Sequence, residues 1–223
     1  MDNATILQLL QDGGLTVYPL GISSVIALAI FIERLWRYRG IANGTRELTR
    51  KTIESLVQRD VNAAKGLCEE SKQPIAQIYL EAMRWKNVAL EDLERVLATS
   101  RMEASNDLRR GVWVVGTIGS LAPYVGLFGT VVGIIRAFQD MAEHGAGGFE
   151  VVAAGISEAL IATAAGLAVA IIALIFFNWM QTRASALAAV YSRSCERFLQ
   201  ALLYVEASAE TEGMADGDLV PTA

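Results

Sequence analysis

The sequence predicts an all-α integral membrane protein, with three long transmembrane helices extending into a cytoplasmic helical bundle. Three observations carry this fold class. The chain of 223 residues is 53% hydrophobic with a mean hydropathy of +0.36, more apolar than soluble chains of that length. The excess is concentrated, since residues 15–32, 111–135 and 159–180 contain no Asp, Glu, Lys or Arg. A helix crossing about 30 Å of hydrocarbon needs about 20 such residues. Outside these blocks, apolar residues return at helical spacing on charged segments.

The basic residues set the orientation. Arg34, Arg37 and Arg39 follow the first block, Arg101, Arg109 and Arg110 precede the second, and Arg183 follows the third. Only Arg136 lies toward the other side, where residues 1–14 and 139–150 otherwise carry acids and His144. Positive charge collects on the cytoplasmic side, so the N-terminus is expected outside and the C-terminus inside. The expected division is a periplasmic N-terminal helix at 1–14, transmembrane helices at 15–37, 111–138 and 151–182, and a cytoplasmic helical domain at 38–110. A periplasmic loop occupies 139–150, a cytoplasmic helix 183–206 and a disordered acidic tail 207–223. No basic residue precedes the first apolar run and no small-residue cleavage site follows it, which reads as an uncleaved anchor.

Each element has a local reason. In residues 1–11, Ile6, Leu9 and Leu10 share one side, as in a short interfacial helix, and Gly13-Gly14 ends it. Pro19 falls in the first turns of the opening span, where its missing N–H costs least. Trp36 and Tyr38 mark the inner interface. Ile75, Ile78, Tyr79, Ala82 and Met83 form one apolar face behind Pro74, a residue suited to a first helical turn. Asn87 is suited to cap the next helix, in which Leu90, Leu93, Leu97 and Ala104 recur at near-heptad spacing. Without a stop signal, that helix is expected to run into the second span. Leu187, Tyr191, Phe198 and Leu202 continue one stripe beyond the third. From Ala207 the composition is acidic and small, without period.

Several chemistries lack their residues. Cys68 and Cys195 both fall on the reducing side, so a disulfide is not expected. One histidine and no paired cysteines build no zinc site. "GLFGTVVG" lacks the lysine of a phosphate-binding loop and lies in an apolar span. No metal, cofactor, enzymatic site or nucleic-acid partner is expected, and energy for any work comes from elsewhere.

Two stretches carry information beyond length and hydropathy: "LAPYVGLFGTVVGIIRAF" at 121–138 and "GISEALIATAAGLAVAII" at 155–172. Gly126, Gly129 and Gly133 on the second span, and Ala162, Gly166 and Ala170 on the third, are small residues of the kind that bring membrane helices together. Pro123 frees the carbonyl of Gly119, which either lines a cavity or marks a simple bend. If the two spans form an antiparallel hairpin, Thr130 and Thr163 share a depth, because their mean position, 146.5, is the middle of the outer loop. A membrane threonine commonly bonds back to its own helix. A level pair flanked by glycine and alanine also fits a polar path, since each hydroxyl both donates and accepts. Glu158 falls level with residue 135, beside Arg136, so an ion pair between them and a functional acid are both open readings. Glu158 and Thr163 are about 140° apart around a helix and do not share a face. These spans hold no deeper carboxylate, so an acid on a proton path would have to come from a partner.

The two stretches, together with "FFN" at 176–178 and the three-span layout, resemble the ExbB/TolQ/MotA proton-channel family in its three-span, ExbB/TolQ-like form. The resemblance implies a homopentamer around a dimer of ExbD/TolR-like single-span proteins that supplies a membrane aspartate. It further implies a TonB- or TolA-like protein as recipient of the work and an address in the bacterial inner membrane. Thr130, Thr163 and Glu158 match the family's ion-pathway residues. Ile172 departs from the pattern, standing where many relatives have a helix-bending proline. A non-conducting scaffold or signalling subunit is the competing reading, and a self-contained transporter is disfavoured because no second half repeats the first.

The charge distribution makes a direct prediction. Alkaline phosphatase fused after Ala142 is expected to be active in the periplasm, and the same reporter fused after Glu206 to be inactive. The reverse pattern would invert the topology.

Overall fold

The computed structural model describes residues 14–85, 90–144 and 148–217, and among them every regular element is a helix. In chain order these are α1 (Gly14–Tyr38), α2 (Ile41–Val57), α3 (Val61–Glu70), α4 (Pro74–Arg84), α5 (Leu90–Arg109), α6 (Val112–His144) and α7 (Gly148–Gly217). Three stretches, Val17–Val57 (across α1 and α2), Val112–Ala142 and Val152–Ser208, contain segments long and apolar enough to cross a membrane. The expected N-terminal helix and the Asn87 cap lie outside the described residues.

Contacts divide the chain into two units, one of Met1–Trp36 with Gly111–Gln181 and one of Arg37–Arg110 with Thr182–Ala223. In the first, α1 packs against α6 and α7 through two small clusters. Ala27, Val112, Val115, Ala173 and Met180 form one, and Leu20, Ala122 and Ala170 the other. Phe31 stacks on Phe176 at 4.0 Å and meets the edge of Trp179 at 5.4 Å. Large apolar residues face outward, among them Ile22, Val25, Tyr124, Phe128, Leu160 and Ile171, the reverse of a water-soluble protein and appropriate to lipid. Hydroxyls on these helices bond back one turn: Ser23 to Pro19, Thr117 to Trp113 and Ser120 to Gly116. Arg34 is 6% exposed, its Nε 2.8 Å from the Glu33 carboxylate.

The second unit is a water-type bundle with an apolar core. Ile75, Ile78, Tyr79 and Ala82 are buried, as the α4 periodicity predicts, and the stripe of Leu187, Tyr191 and Phe198 is buried too. The Tyr79 ring stacks on Phe198 at 4.2 Å. The Thr49 hydroxyl donates to the Thr45 carbonyl at 2.6 Å, so the Tyr79 hydroxyl, 2.8 Å away, donates to Thr49 in a buried relay. The Tyr38 hydroxyl donates to the Leu108 carbonyl at 2.6 Å, occupying one of the acceptors that the last turn of α5 leaves open.

Three expectations are revised. The helix before the second span does not run on: α5 ends at Arg109 and α6 starts at Val112, with Gly111 between them at φ +77°. A glycine in the left-handed region is a common helix stop, a signal overlooked because apolar residues follow at once. The outer loop is shorter than 139–150, since α6 reaches His144 and α7 starts at Gly148. The tail is not disordered throughout, because α7 continues to Gly217. Its run of Ala and Glu favours helix, and no proline interrupts residues 207–220.

Both cysteines are free and buried. Burial raises the Cys68 thiol, although its Thr52 neighbour opposes this, and pushes Cys195 up to about 12. A thiol reacts as thiolate, and an unperturbed one titrates near 8.5. Maleimide at pH 8.5 is therefore expected to label neither cysteine in the folded chain and both after unfolding in detergent. Rapid labelling of the folded chain would contradict this packing.

Candidate functional site

Lipid offers helices no hydrophobic reason to meet, so membrane helices associate by close packing and a few hydrogen bonds. The sequence of α6 and α7 supplies small residues at steps of three and four, which keeps one seam facing a partner helix. Each seam glycine is tight against the other helix. A Cβ on Gly155 would lie 2.6 Å from the Ala137 Cβ, and one on Gly133 would lie 2.7 Å from that of Ala159. Nearer the other end, Gly119 faces Leu174 and Gly116 faces the Phe177 ring, with clearances of 2.9 and 2.8 Å.

These pairs fix the register. Residues 137 and 155 have a mean position of 146, and 119 and 174 a mean of 146.5. Thr130 and Thr163 fall on the same line, so the hairpin puts them level.

At their level the two backbones touch. A Cβ on Gly126 would lie 3.0 Å from both the Ala162 carbonyl oxygen and the Thr163 Cα. One on Gly166 would lie 2.6 Å from the Ala122 carbonyl oxygen and 3.0 Å from the Gly126 Cα. The Thr163 hydroxyl crosses this contact and donates to the Gly126 carbonyl at 2.9 Å. In a regular α-helix that carbonyl also accepts the amide of Thr130, four residues on. The two threonines therefore meet through one backbone carbonyl rather than through their side chains. Thr130 is 8% exposed, and its own hydroxyl donates to the Leu127 carbonyl at 2.7 Å. With both protons committed to carbonyls, each oxygen offers lone pairs to anything else that approaches.

The remaining expected residues fall elsewhere. Glu158 and Arg136 are both exposed, and no ion pair joins them among the described residues. They project outside the line of contact made by Gly155, Ala159, Ala162 and Gly166, which explains why equal depth does not bring them together. Gly129 is buried, and Pro123 sits within α6 without ending it. Gly155, Ala159, Ala137 and Gly119 belong to the seam although the sequence reading passed over them. Their signal was the continuation of the three-and-four spacing along the span. The Gly126 carbonyl had no signal, since every residue carries one.

A cavity of about 850 Å³ lies between α4 and α5, over Ile41, Ile78, Leu108 and Tyr191. Its charged lining mixes Arg37 and Arg95 with Glu81, Glu103 and Asp107, so no single ligand chemistry converges there. Among the described residues, no three potential metal ligands cluster.

A hairpin of two apolar helices, joined by a glycine seam with two hydroxyls level at its centre, defines a polytopic membrane protein whose information sits in its second and third spans. Comparison with known proteins makes this class specific. Residues 70–193 match the model of the MotA/TolQ/ExbB proton channel family, and the chain belongs to that family. It is 40% identical over 207 residues to the biopolymer transport protein ExbB of Pseudomonas putida, covering 87% of this chain and 60% of the relative. An ExbB-like biopolymer transport protein of Synechocystis is 32% identical over 171 residues, covering 74% and 66%. The Tol-Pal system protein TolQ of Haemophilus influenzae is 31% identical over 191 residues, covering 78% and 82%. The chain thus spans a little under two thirds of the first two relatives.

The two hydroxyls differ in what they hold, so their removal should differ too. Thr163→Val breaks a bond between helices and should cost about 0.6–1.7 kcal/mol of hairpin stability. Thr130→Val breaks only a bond within one helix and should cost less. Unfolding of both variants in mixed micelles checks the order, and equal losses would remove the distinction.

Proposed function

We propose that this chain is the ring-forming channel subunit of a bacterial inner-membrane motor, converting the proton motive force into mechanical work across the cell envelope. The observation that carries the reading is the position of Thr130 and Thr163. They lie level in the α6–α7 seam, inside the stretch matched to the proton-channel family. Their oxygens are able to accept from a cation or a protonated group, and the seam itself holds no carboxylate. The titrating acid then comes from outside the chain, on an ExbD/TolR-like single-span protein.

The apolar outer faces of α1, α6 and α7 are suited to neighbouring copies as well as to lipid, in keeping with a homopentamer around a central dimer. The recipient of the work is a TonB-like, TolA-like or gliding-type protein; the relatives named for biopolymer transport and for the Tol-Pal system point to the first two. One unit charge moved through 100 mV releases about 2.3 kcal/mol, so a few ions suffice to reset a conformational balance of several kcal/mol. Glu158, exposed in the single chain, is assigned to the outer part of the ion route.

A second reading has its own support. Thr130 bonds to its own helix and Thr163 to a backbone carbonyl, as expected of hydroxyls that serve assembly alone. In that case the chain is a non-conducting scaffold.

Native mass spectrometry of the chain co-expressed with its single-span partner should show five copies holding two partner chains. Proteoliposomes of that complex should pass protons, and Thr130→Val and Glu158→Ala should each reduce the flux by tenfold or more. A partner-free monomer or dimer would overturn the ring, and full flux from both variants would favour the scaffold.

A further inference from the structure

We infer that Gly126 is a positioning residue for the proposed ion route, acting through Thr163; the inference rests on the channel reading. Gly126 does two things at one point. Its missing side chain lets α7 come within contact of α6, where a Cβ would meet backbone on the facing helix, the Ala162 carbonyl oxygen and the Thr163 Cα at 3.0 Å each. Backbone cannot turn aside as a side-chain end can, so a larger residue separates the helices. Its carbonyl then takes the Thr163 hydroxyl proton at 2.9 Å. Proximity and hydrogen bond are therefore one device, and losing the first loses the second.

The consequence for chemistry lies in the direction of the Thr163 oxygen. While its proton is held by Gly126, the hydroxyl is a fixed acceptor. Released, it rotates and bonds back within its own helix, as Ser23, Thr117, Ser120 and Thr130 do on theirs. The lone pairs then point elsewhere. Gly166 shares this contact, since a Cβ there would lie 3.0 Å from the Gly126 Cα, but the seam glycines further along have no such link. Gly133 and Gly155 meet alanine Cβ atoms, and Gly116 meets a ring, so a side chain there disturbs packing without addressing a hydroxyl.

Two measurements on the full chain with its co-expressed single-span partner test this. A ¹³C=O label at position 126 should give an infrared band at low frequency, as a doubly accepting carbonyl does. The band should rise in Thr163→Val, stay low in Thr163→Ser, and rise again in Gly126→Ala. Proton flux into proteoliposomes should fall at least tenfold in Gly126→Ala and in Thr163→Val, recover in Thr163→Ser, and fall no further in the double variant. Should Gly126→Ala fail to assemble, the Thr163→Val and Thr163→Ser pair still decides. An unmoved band, full flux from Thr163→Val, or losses that multiply in the double variant would overturn the proposal while leaving a conducting complex. No flux from the unsubstituted complex would sink the channel reading and this proposal with it.

Discussion

The membrane unit depends on one contact, the meeting of the α6 and α7 backbones at Gly126 and Gly166. In water, two helices are driven together by the apolar surface they hide. In lipid that drive vanishes, and what remains is dispersion between close atoms and hydrogen bonds that find no competitor. Both demand approach, and approach demands residues with little or no side chain. The glycine and alanine seam meets that requirement along the hairpin, and Thr163 adds a hydrogen bond where the two backbones touch. The register follows, and with it the common depth of the two threonines.

The second unit solves the same problem by another route. Its helices meet around Tyr79, Phe198, Leu56 and Ile75, all fully buried, because water drives large apolar groups together. Some polar groups enter this core in bonded sets, such as the relay from Tyr79 through Thr49 to the Thr45 carbonyl, while the Tyr191 hydroxyl is buried without a hydrogen-bond partner among the described residues. The contrast between bulky residues in one unit and glycine in the other is the contrast between two solvents, acting on one chain.

Function follows from what the seam lacks as well as from what it has. It offers oxygen lone pairs at fixed positions and no acid to titrate, so a proton passing there requires a carboxyl from another chain. The proposed channel thus rests on a division of labour in which this chain would shape the route and a partner would carry the charge. The hydroxyls are held by backbone rather than by each other, so the direction of their oxygens is only as well defined as the helix packing that holds them.

Much of this was legible before any coordinate was known. Three uncharged blocks announced the spans, because a charge in hydrocarbon is too costly to scatter at random. The α4 face and the stripe of Leu187, Tyr191 and Phe198 announced a soluble bundle, because helical period is written in residue order. The equal depth of Thr130 and Thr163 needed only the assumption of a hairpin. Tertiary structure decided the rest. It cut the path between α5 and α6 at Gly111, a backbone conformation that composition beside an apolar run concealed. It separated Glu158 from Arg136, because depth is a matter of residue count whereas facing is a matter of rotation about two helices. It also assigned the Thr163 proton to the Gly126 carbonyl. Side chains and their spacing are properties of the sequence; which anonymous carbonyl a hydroxyl reaches exists only once two backbones have been brought together.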